Sequence, residues 1–219
     1  MDGAEKQRLI RMIDENGDTA LHMAARGGLI GVVKFIMKED PEFELSANNA
    51  GETPLYLAVE KGLVECSRAI LESCKKPTYD GPCSRTPLHA AIIRQHTATE
   101  GDINMINELL KHCPDCWETL NSCGQNVLHI SILNKQEEVV KYFLDSGKWD
   151  SLVNEADNDG NTPLHLVAAS GNYVPELIKH PKVTKMSVNK ENQTPLDLAL
   201  VCTESTNKMK IGEIGGKFA

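Results

Sequence analysis

The chain has 219 residues, of which 41% are hydrophobic, 25% are charged and 5% are aromatic, and its formal net charge is −8. This is the composition of a globular protein, and without a dense run of Lys or Arg it argues against a nucleic-acid or anionic-lipid partner. The charged start lacks the apolar core of a secretory signal, and no window approaches the roughly 18 apolar residues of a membrane helix. We therefore expect an intracellular, soluble chain with no direct membrane insertion, whose seven cysteines are free thiols.

The first segment predicts a single helix. Leu9, Ile10 and Ile13 stand at helical spacing in an otherwise charged stretch that begins at Ala4. A lone amphipathic helix at a chain end is typical of a cap on a stack of repeats. Residues 1–13 are therefore interpreted as an N-terminal capping helix or half repeat.

A short signature then recurs along the chain. A polar turn ends in a residue that can cap a helix, Pro often follows at the first helical position, and an apolar run continues at helical spacing. The capping positions are spaced by 34, 33, 40, 36 and 32 residues and are occupied by Thr19, Thr53, Thr86, Asn126, Thr162 and Thr194. A Leu follows two residues later in every copy, with small or aliphatic residues five and six positions on. Each copy predicts a short first helix with one apolar face.

A second apolar group follows in each regular copy, as at Val32 and Val33. It predicts a second helix, so that each copy is one helix-turn-helix unit. In the third copy this group is displaced to Met105 and Ile106, which predicts a polar loop insertion over residues 94–102.

These residues carry a family resemblance. Gly-Asp-Thr19-Ala-Leu-His22, Gly-Asn-Thr162-Pro-Leu-His165 and their four relatives resemble six successive ankyrin-repeat signatures. The resemblance implies an all-α solenoid of about six stacked helix-turn-helix repeats over residues 14–202, starting near 14, 48, 81, 121, 157 and 189. It also implies that Thr and His of the signature hydrogen-bond each other and tie neighbouring turns together. The structural signature residues are Thr19, His22, Thr53, Thr86, His89, His129, Thr162, His165 and Thr194.

A narrower resemblance comes from the particular residues of some copies. The stretch ending at Ala168 and the closing Asn-Gln-Thr-Pro-Leu-Asp-Leu-Ala199 are similar to plant ankyrin proteins of the accelerated-cell-death type, in which a cytosolic array precedes a PGG-type membrane domain. This resemblance implies a role in plant defence or stress signalling and a cytoplasmic location at the cytosolic face of a membrane. It also implies membrane association through a C-terminal segment that this sequence does not contain.

Three clusters imitate functional sites. The repeated histidines stand one repeat apart, roughly 10 Å, which is too far to share a metal ion. His112, Cys113, Cys116 and Cys123 lack a second close ligand pair, so they are interpreted as incidental thiols, with a metal sensor as the alternative. The calcium-like turn from Glu155 fails at its twelfth position, which is Leu166. The sequence predicts no catalytic residue, no cofactor and no metal.

The positions that vary between copies are the candidates for function. Repeat signatures maintain the stack, so recognition is expected on the turn tips and on the exposed face of the first helices, which would form a concave surface. The predicted protein-binding residues are Tyr79, Asp80, Arg85, Arg94, Asn121, Gln125, Asn158, Asp159 and Asn161.

The functional hypothesis is a non-enzymatic protein-protein interaction scaffold whose partner carries some basic surface. The alternative is the cytosolic regulatory half of a multi-pass membrane protein.

The polar residues 203–219 are predicted to form a flexible tail.

Overall fold

The computed structural model describes residues 3–40, 46–73, 78–94, 100–145 and 147–205. This part of the chain forms α-helices and short 3-10 helices, and its strand-like pairing is an isolated bridge between Ile13 and Thr19. The chain divides into two compact units, Met1–Ser122 and Cys123–Ala219. The predicted all-α class is confirmed.

The first unit is built from two rows of helices. Its helices are α1 (Gly3–Ile10), α2 (Ala20–Arg26), α3 (Ile30–Glu39), α4 (Pro54–Glu60), α5 (Val64–Ser73), α6 (Pro87–Ile93) and α7 (Glu100–His112). Helices α2, α4 and α6 pack in sequence as the first row, and α1, α3, α5 and α7 pack in sequence as the second. Each of α2, α4 and α6 also packs on the helix that follows it, so the repeating unit is a helix pair.

The second unit repeats this plan. Its helices are α8 (Val127–Leu133), α9 (Glu137–Asp145), α10 (Pro163–Ser170), α11 (Pro175–Ile178) and α12 (Pro195–Ser205). Helices α8, α10 and α12 form the first row, while α9 and α11 contact each other in the second. A 3-10 helix at Asp150–Asn154 packs on α10. The ring of Trp149, just before it, lies 5.0 Å from that of Phe143, measured between centroids.

The first helix of each copy begins where its capping residue ends the turn. In α2, α4 and α6 the capping threonine is extended, and its side chain accepts a hydrogen bond from the backbone three residues later. The residue two positions before the cap has a left-handed backbone in every copy. Glycine adopts this conformation without steric cost, and the position holds Gly17, Gly51, Gly124 and Gly160 but Ser84 in the third copy and Asn192 in the sixth.

The prediction that the first helices have one apolar face was wrong for α4, α6 and α8, because the first six residues of each are all buried. Every residue from Pro54 to Val59 is buried, because α4 is enclosed by α2, α5 and α6. The apolar Leu57, which lies off the predicted face of α4, is only 1% exposed.

Three boundaries also differ from the prediction. The N-terminal helix ends at Ile10, three residues before the predicted end. Helix α7 begins at Glu100, so the end of the predicted loop insertion is helical, while residues 95–99 lie outside the described residues. Helix α12 extends to Ser205, into the predicted tail, and residues 206–219 lie outside the described residues.

Candidate functional site

The signature threonines and histidines hold neighbouring turns together. The threonine hydroxyl lies 2.9 Å from Nδ1 of His22 and 2.8 Å from Nδ1 of His165, and the threonine N–H donates to the same nitrogen. Nδ1 is thus the acceptor, and Nε2–H donates to a backbone carbonyl of the next copy, at 3.1 Å to Glu52 and 3.1 Å to Gln193. Burial lowers the pKa of both rings. These histidines are neutral ties between repeats.

A second set of turn residues was missed by the sequence reasoning. The Asp157 carboxylate accepts hydrogen bonds from the N–H groups of Asp159 and Asn161 at 3.0 and 2.8 Å, which fixes the turn. The equivalent residues of three other copies make the same pair of bonds. The available signal was an Asp or Asn five residues before the cap in every copy but the third: Asp14, Asn48, Asn121, Asp157 and Asn189.

Backbone hydrogen bonds link successive turn tips within each unit. The N–H four residues before a cap donates to the carbonyl three residues before the preceding cap, with N···O distances of 2.9 Å: Asn49 to Asn16, Ser122 to Cys83, Asn158 to Cys123 and Lys190 to Asp159. Between the second and third copies the donor position is Pro82, which has no N–H. The backbone hydrogen bond that links successive turn tips therefore cannot form between these two copies.

The junction between the second and third copies is rebuilt around Tyr56, which replaces the signature histidine. The ring of Tyr56 cannot accept a bond from Thr53, and the Thr53 hydroxyl instead donates to the carbonyl of Asp80 at 3.0 Å. The Tyr56 side chain is buried and hydrogen-bonded to the Arg85 side chain, and burial raises its pKa. A Cβ at Gly81 would overlap the Tyr56 ring and the Arg85 carbonyl. The Tyr56 ring and the Arg85 carbonyl together require glycine in the position that the other copies fill with Asp or Asn.

The third turn also carries backbone strain. Cys83 and Ser84 have φ values of 57° and 56°, a region that costs an L-residue roughly 1–2 kcal/mol. Both are exposed, so their side chains make no compensating core contact. The third turn is the least regular of the described turns.

A charged network closes the first turn. The Arg26 guanidinium donates to the buried Asp18 carboxylate at 2.5 and 3.2 Å and to Glu52 at 3.3 Å. Asn48 donates to both carboxylates. The hydrogen bond from Arg26 lowers the pKa of Asp18 despite its burial, so both carboxylates have a cationic partner within the first unit.

The predicted binding residues differ in their accessibility. Asp80 and Arg94 in the first unit and Asn158 and Asp159 in the second are exposed. Tyr79, Arg85, Gln125 and Asn161 are half-buried, and the amide oxygen of Asn161 accepts a bond from Asn189 at 3.0 Å. Asn121 is buried. The selection of Asn121 as a contact residue is corrected, because it occupies the turn-anchoring position and not the tip.

A groove in the second unit joins two turn tips. Its volume is about 330 Å³, and its lining combines the signature residue His165, apolar side chains and charged tip residues. The apolar lining is Leu166, Ala169 and Leu198, and the exposed charged residues are Asp159, Lys190 and Glu191. A groove of this size accommodates one or two partner side chains.

The cysteine cluster forms a turn at the end of α7. The N–H of Cys116 donates to the carbonyl of Cys113 at 3.3 Å, and the two thiols are hydrogen-bonded. Burial raises the pKa of Cys116, and Nε2 of His112 lies 4.0 Å from a Glu108 carboxylate oxygen. Within the described ranges no three His, Cys, Asp or Glu side chains meet in a metal-binding arrangement.

The repeat architecture and the turn geometry are those of a class of helical repeat proteins. Models described as ankyrin repeats in three copies match residues 4–80 and 74–152, and one described as ankyrin repeats in many copies matches residues 135–186. The chain belongs to the ankyrin-repeat family. Domains of this family typically act as non-catalytic binding modules.

Similar proteins span several contexts. The chain is 26% identical over 207 residues to the transient receptor potential cation channel subfamily A member 1 of Drosophila melanogaster, covering 77% of this chain and 17% of the channel. It is 24% identical over 233 residues to the NF-kappa-B inhibitor zeta of Mus musculus, covering 89% of this chain and 32% of that protein. The chain thus spans a third or less of these relatives.

A solved structure has the same fold. One chain of the complex of the Bd0816 predatory endopeptidase from Bdellovibrio bacteriovorus with the immunity protein Bd3460 matches with a TM-score of 0.68 and 22% identity, covering 89% of this chain and 95% of that one.

None of the helices in the described part of the present chain has the length and hydropathy that a membrane crossing requires.

Proposed function

We propose that the chain is a non-enzymatic scaffold that binds another protein through its turn tips and the adjoining faces of its first helices. The observation that supports this proposal is that some residues of each turn hold the fold together while others are exposed to solvent. Asp157 and Asn189 anchor their turns, and the signature histidines tie them together. The exposed residues Asn158 and Asp159 follow the anchor Asp157 in the same turn, and Asp80 is exposed in the third turn, where Gly81 occupies the anchor position.

The charge of the tips favours a partner with some basic surface. The groove of the second unit carries Asp159 and Glu191 against a single Lys190, and the whole chain has a net charge of −8. Opposite charge on a partner accelerates encounter and selects the partner. In the first unit, the Asp18 and Glu52 carboxylates are paired with Arg26, whereas Asp159 and Glu191 in the groove are exposed, which favours the groove as the site for a basic partner.

We further propose that this scaffold acts in plant defence or stress signalling. It is supported by the resemblance of the fifth and sixth signatures to the accelerated-cell-death type. Loss of the protein in its native plant should alter the response to a pathogen elicitor. An unchanged response in a complete knockout would contradict this assignment.

The second candidate is the cytosolic regulatory half of a multi-pass membrane protein, located at the cytosolic face of a membrane. The channel similarity favours it, because a transient receptor potential channel of Drosophila melanogaster matches 77% of this chain. A transcript that continues this reading frame into several apolar runs of about 20 residues would support it. Transcripts that all terminate after Ala219 would count against it.

The scaffold proposal is tested with a partner identified by proximity labelling in the native cell. Binding of the purified chain is compared with that of Asp80→Arg and Asp159→Arg, using Glu72→Arg on α5 as a control with the same change in charge. We expect at least a tenfold loss of affinity for Asp159→Arg and little change for the control. Equal affinities for all variants would refute the use of the tips.

A further inference from the structure

The first helix pair exposes an unusual amount of apolar surface. Met23 on α2 and Val32 and Phe35 on α3 are 49%, 43% and 55% exposed. We call these three residues the end face. Isolated exposed apolar residues are ordinary, but large side chains clustered on one helix pair indicate an interaction site.

The equivalent residues of the next copy show which kind of surface this is. Counted from the capping threonine, the positions of Met23, Val32 and Phe35 correspond to Leu57, Cys66 and Ala69, which are 1%, 3% and 6% exposed. They are buried where α4 and α5 pack on α2 and α3. The end face is therefore the same stacking surface, one repeat earlier.

Helix α1 covers only part of this surface. It packs on α3. Lys6 of α1 forms an ion pair with Glu39 at 3.4 Å, and Arg11, just after α1, forms one with Asp40, the C-cap of α3, at 2.6 Å. In the row of first helices, α2 packs on α4, and the opposite side of α2 carries the half-exposed Met23. The uncovered space has the position of one further first-row helix.

The charges beside the end face indicate the chemistry of its occupant. Lys34 and Lys38 are exposed on α3 next to Phe35. We propose that the end face binds an amphipathic helix of a partner protein, with small apolar residues along its contact stripe and acidic residues beside it. Small residues would allow this helix to pack on α2 as α4 does on the other side, and the acidic residues complement the two lysines. This site is separate from the turn tips and prefers the opposite charge.

The proposal is tested by site-specific photo-crosslinking with the full chain. p-Benzoylphenylalanine is placed at Met23 and, as the control, at Met186, which is 73% exposed in the second unit. We expect a product only from position 23, and the cross-linked peptide should come from an amphipathic helix with acidic flanks. No product, a product containing a second copy of this chain, or the same product from both positions would overturn the proposal.

The captured protein is then purified and its affinity measured directly. Phe35→Glu and Val32→Glu should each weaken binding at least tenfold, whereas Leu133→Glu, at a residue of similar exposure on α8, should not. Because these side chains are half-exposed, thermal melts should show folded variants. Full affinity in either end-face variant would overturn the proposal. The tip variant Asp159→Arg should leave this binding unchanged, which separates failure here from failure of the scaffold proposal.

Discussion

Replacing Gly81 by alanine should destabilise the first unit, although its backbone permits any residue. The φ of Gly81 is −161°, which is ordinary extended backbone. The added methyl group would instead overlap a carbon of the Tyr56 ring and the carbonyl oxygen of Arg85. One of these contacts is backbone and the other is a buried ring, so neither moves aside easily.

The magnitude follows from this overlap. Overpacking a buried contact by one methyl group costs about 1–3 kcal/mol. With a urea dependence of about 1–3 kcal/mol per molar, the unfolding midpoint should fall by roughly 1 M. The matched control is Gly31→Ala, because Gly31 lies in helix α3 with open space around its Cβ position. The control should gain about 0.5–1 kcal/mol from the lower chain entropy of the unfolded state.

A double variant tests the cause. In a Tyr56→His background the overlap with the ring should be relieved while the overlap with the Arg85 carbonyl remains, so Gly81→Ala should cost less by about 0.5–3 kcal/mol. Chemical denaturation of the four proteins in the cycle measures this coupling. A Gly81→Ala variant as stable as the parent, or an equal cost of Gly81→Ala in both backgrounds, would show that the methyl group does not overlap the Tyr56 ring.

Three further predictions concern the turns. Ser84→Gly should stabilise the chain by about 1 kcal/mol in urea denaturation, because glycine relieves the left-handed backbone. The free energy of unfolding should decrease as the pH falls from 6.5 towards 5, because the unfolded histidines take up protons near pH 6.5 while burial keeps His22 and His165 neutral. Urea midpoints across this pH range measure the decrease. The dependence of the midpoint on pH should be smaller in His165→Gln. Arg26→Met should cost about 1–2 kcal/mol in the same assay, because it leaves the buried Asp18 without its cation.

Each of these predictions has a contradicting outcome. A destabilised Ser84→Gly would show that the serine side chain compensates for its backbone. Urea midpoints that stay level between pH 6.5 and pH 5, or a slope that His165→Gln does not change, would show that the folded rings take up protons as readily as the unfolded ones. An Arg26→Met variant as stable as the parent would mean that Asn48 alone satisfies Asp18.

The repeat fold was predictable because its signals are local and recur in phase. A cap such as Thr162, the proline after it and the apolar helix positions lie within a few consecutive residues. The rebuilt junction was not predictable in this way. Tyr56, Gly81 and Pro82 are separate departures in two copies, and their connection becomes visible only when the Tyr56 ring is placed against the third turn.

The candidate binding residues were only partly predictable from the sequence. Variation between copies identified the turns, but it could not separate a tip such as Asp159 from an anchor such as Asn121, because both are small polar residues in the same turn. That distinction depends on the direction of the side chain. Similarly, exposure of Phe35 and burial of its equivalent Ala69 depend on whether a helix pair precedes them.

We propose that the exposed tip residues, and not second-row helices such as α5, recognise the partner with the basic surface. The most direct test is the dissociation constant of the purified chain for the partner found by proximity labelling, measured for Asp159→Arg and for Glu72→Arg. We predict at least a tenfold weaker complex for Asp159→Arg and an unchanged complex for Glu72→Arg. A weakened Glu72→Arg complex together with an unchanged Asp159→Arg complex would contradict the claim.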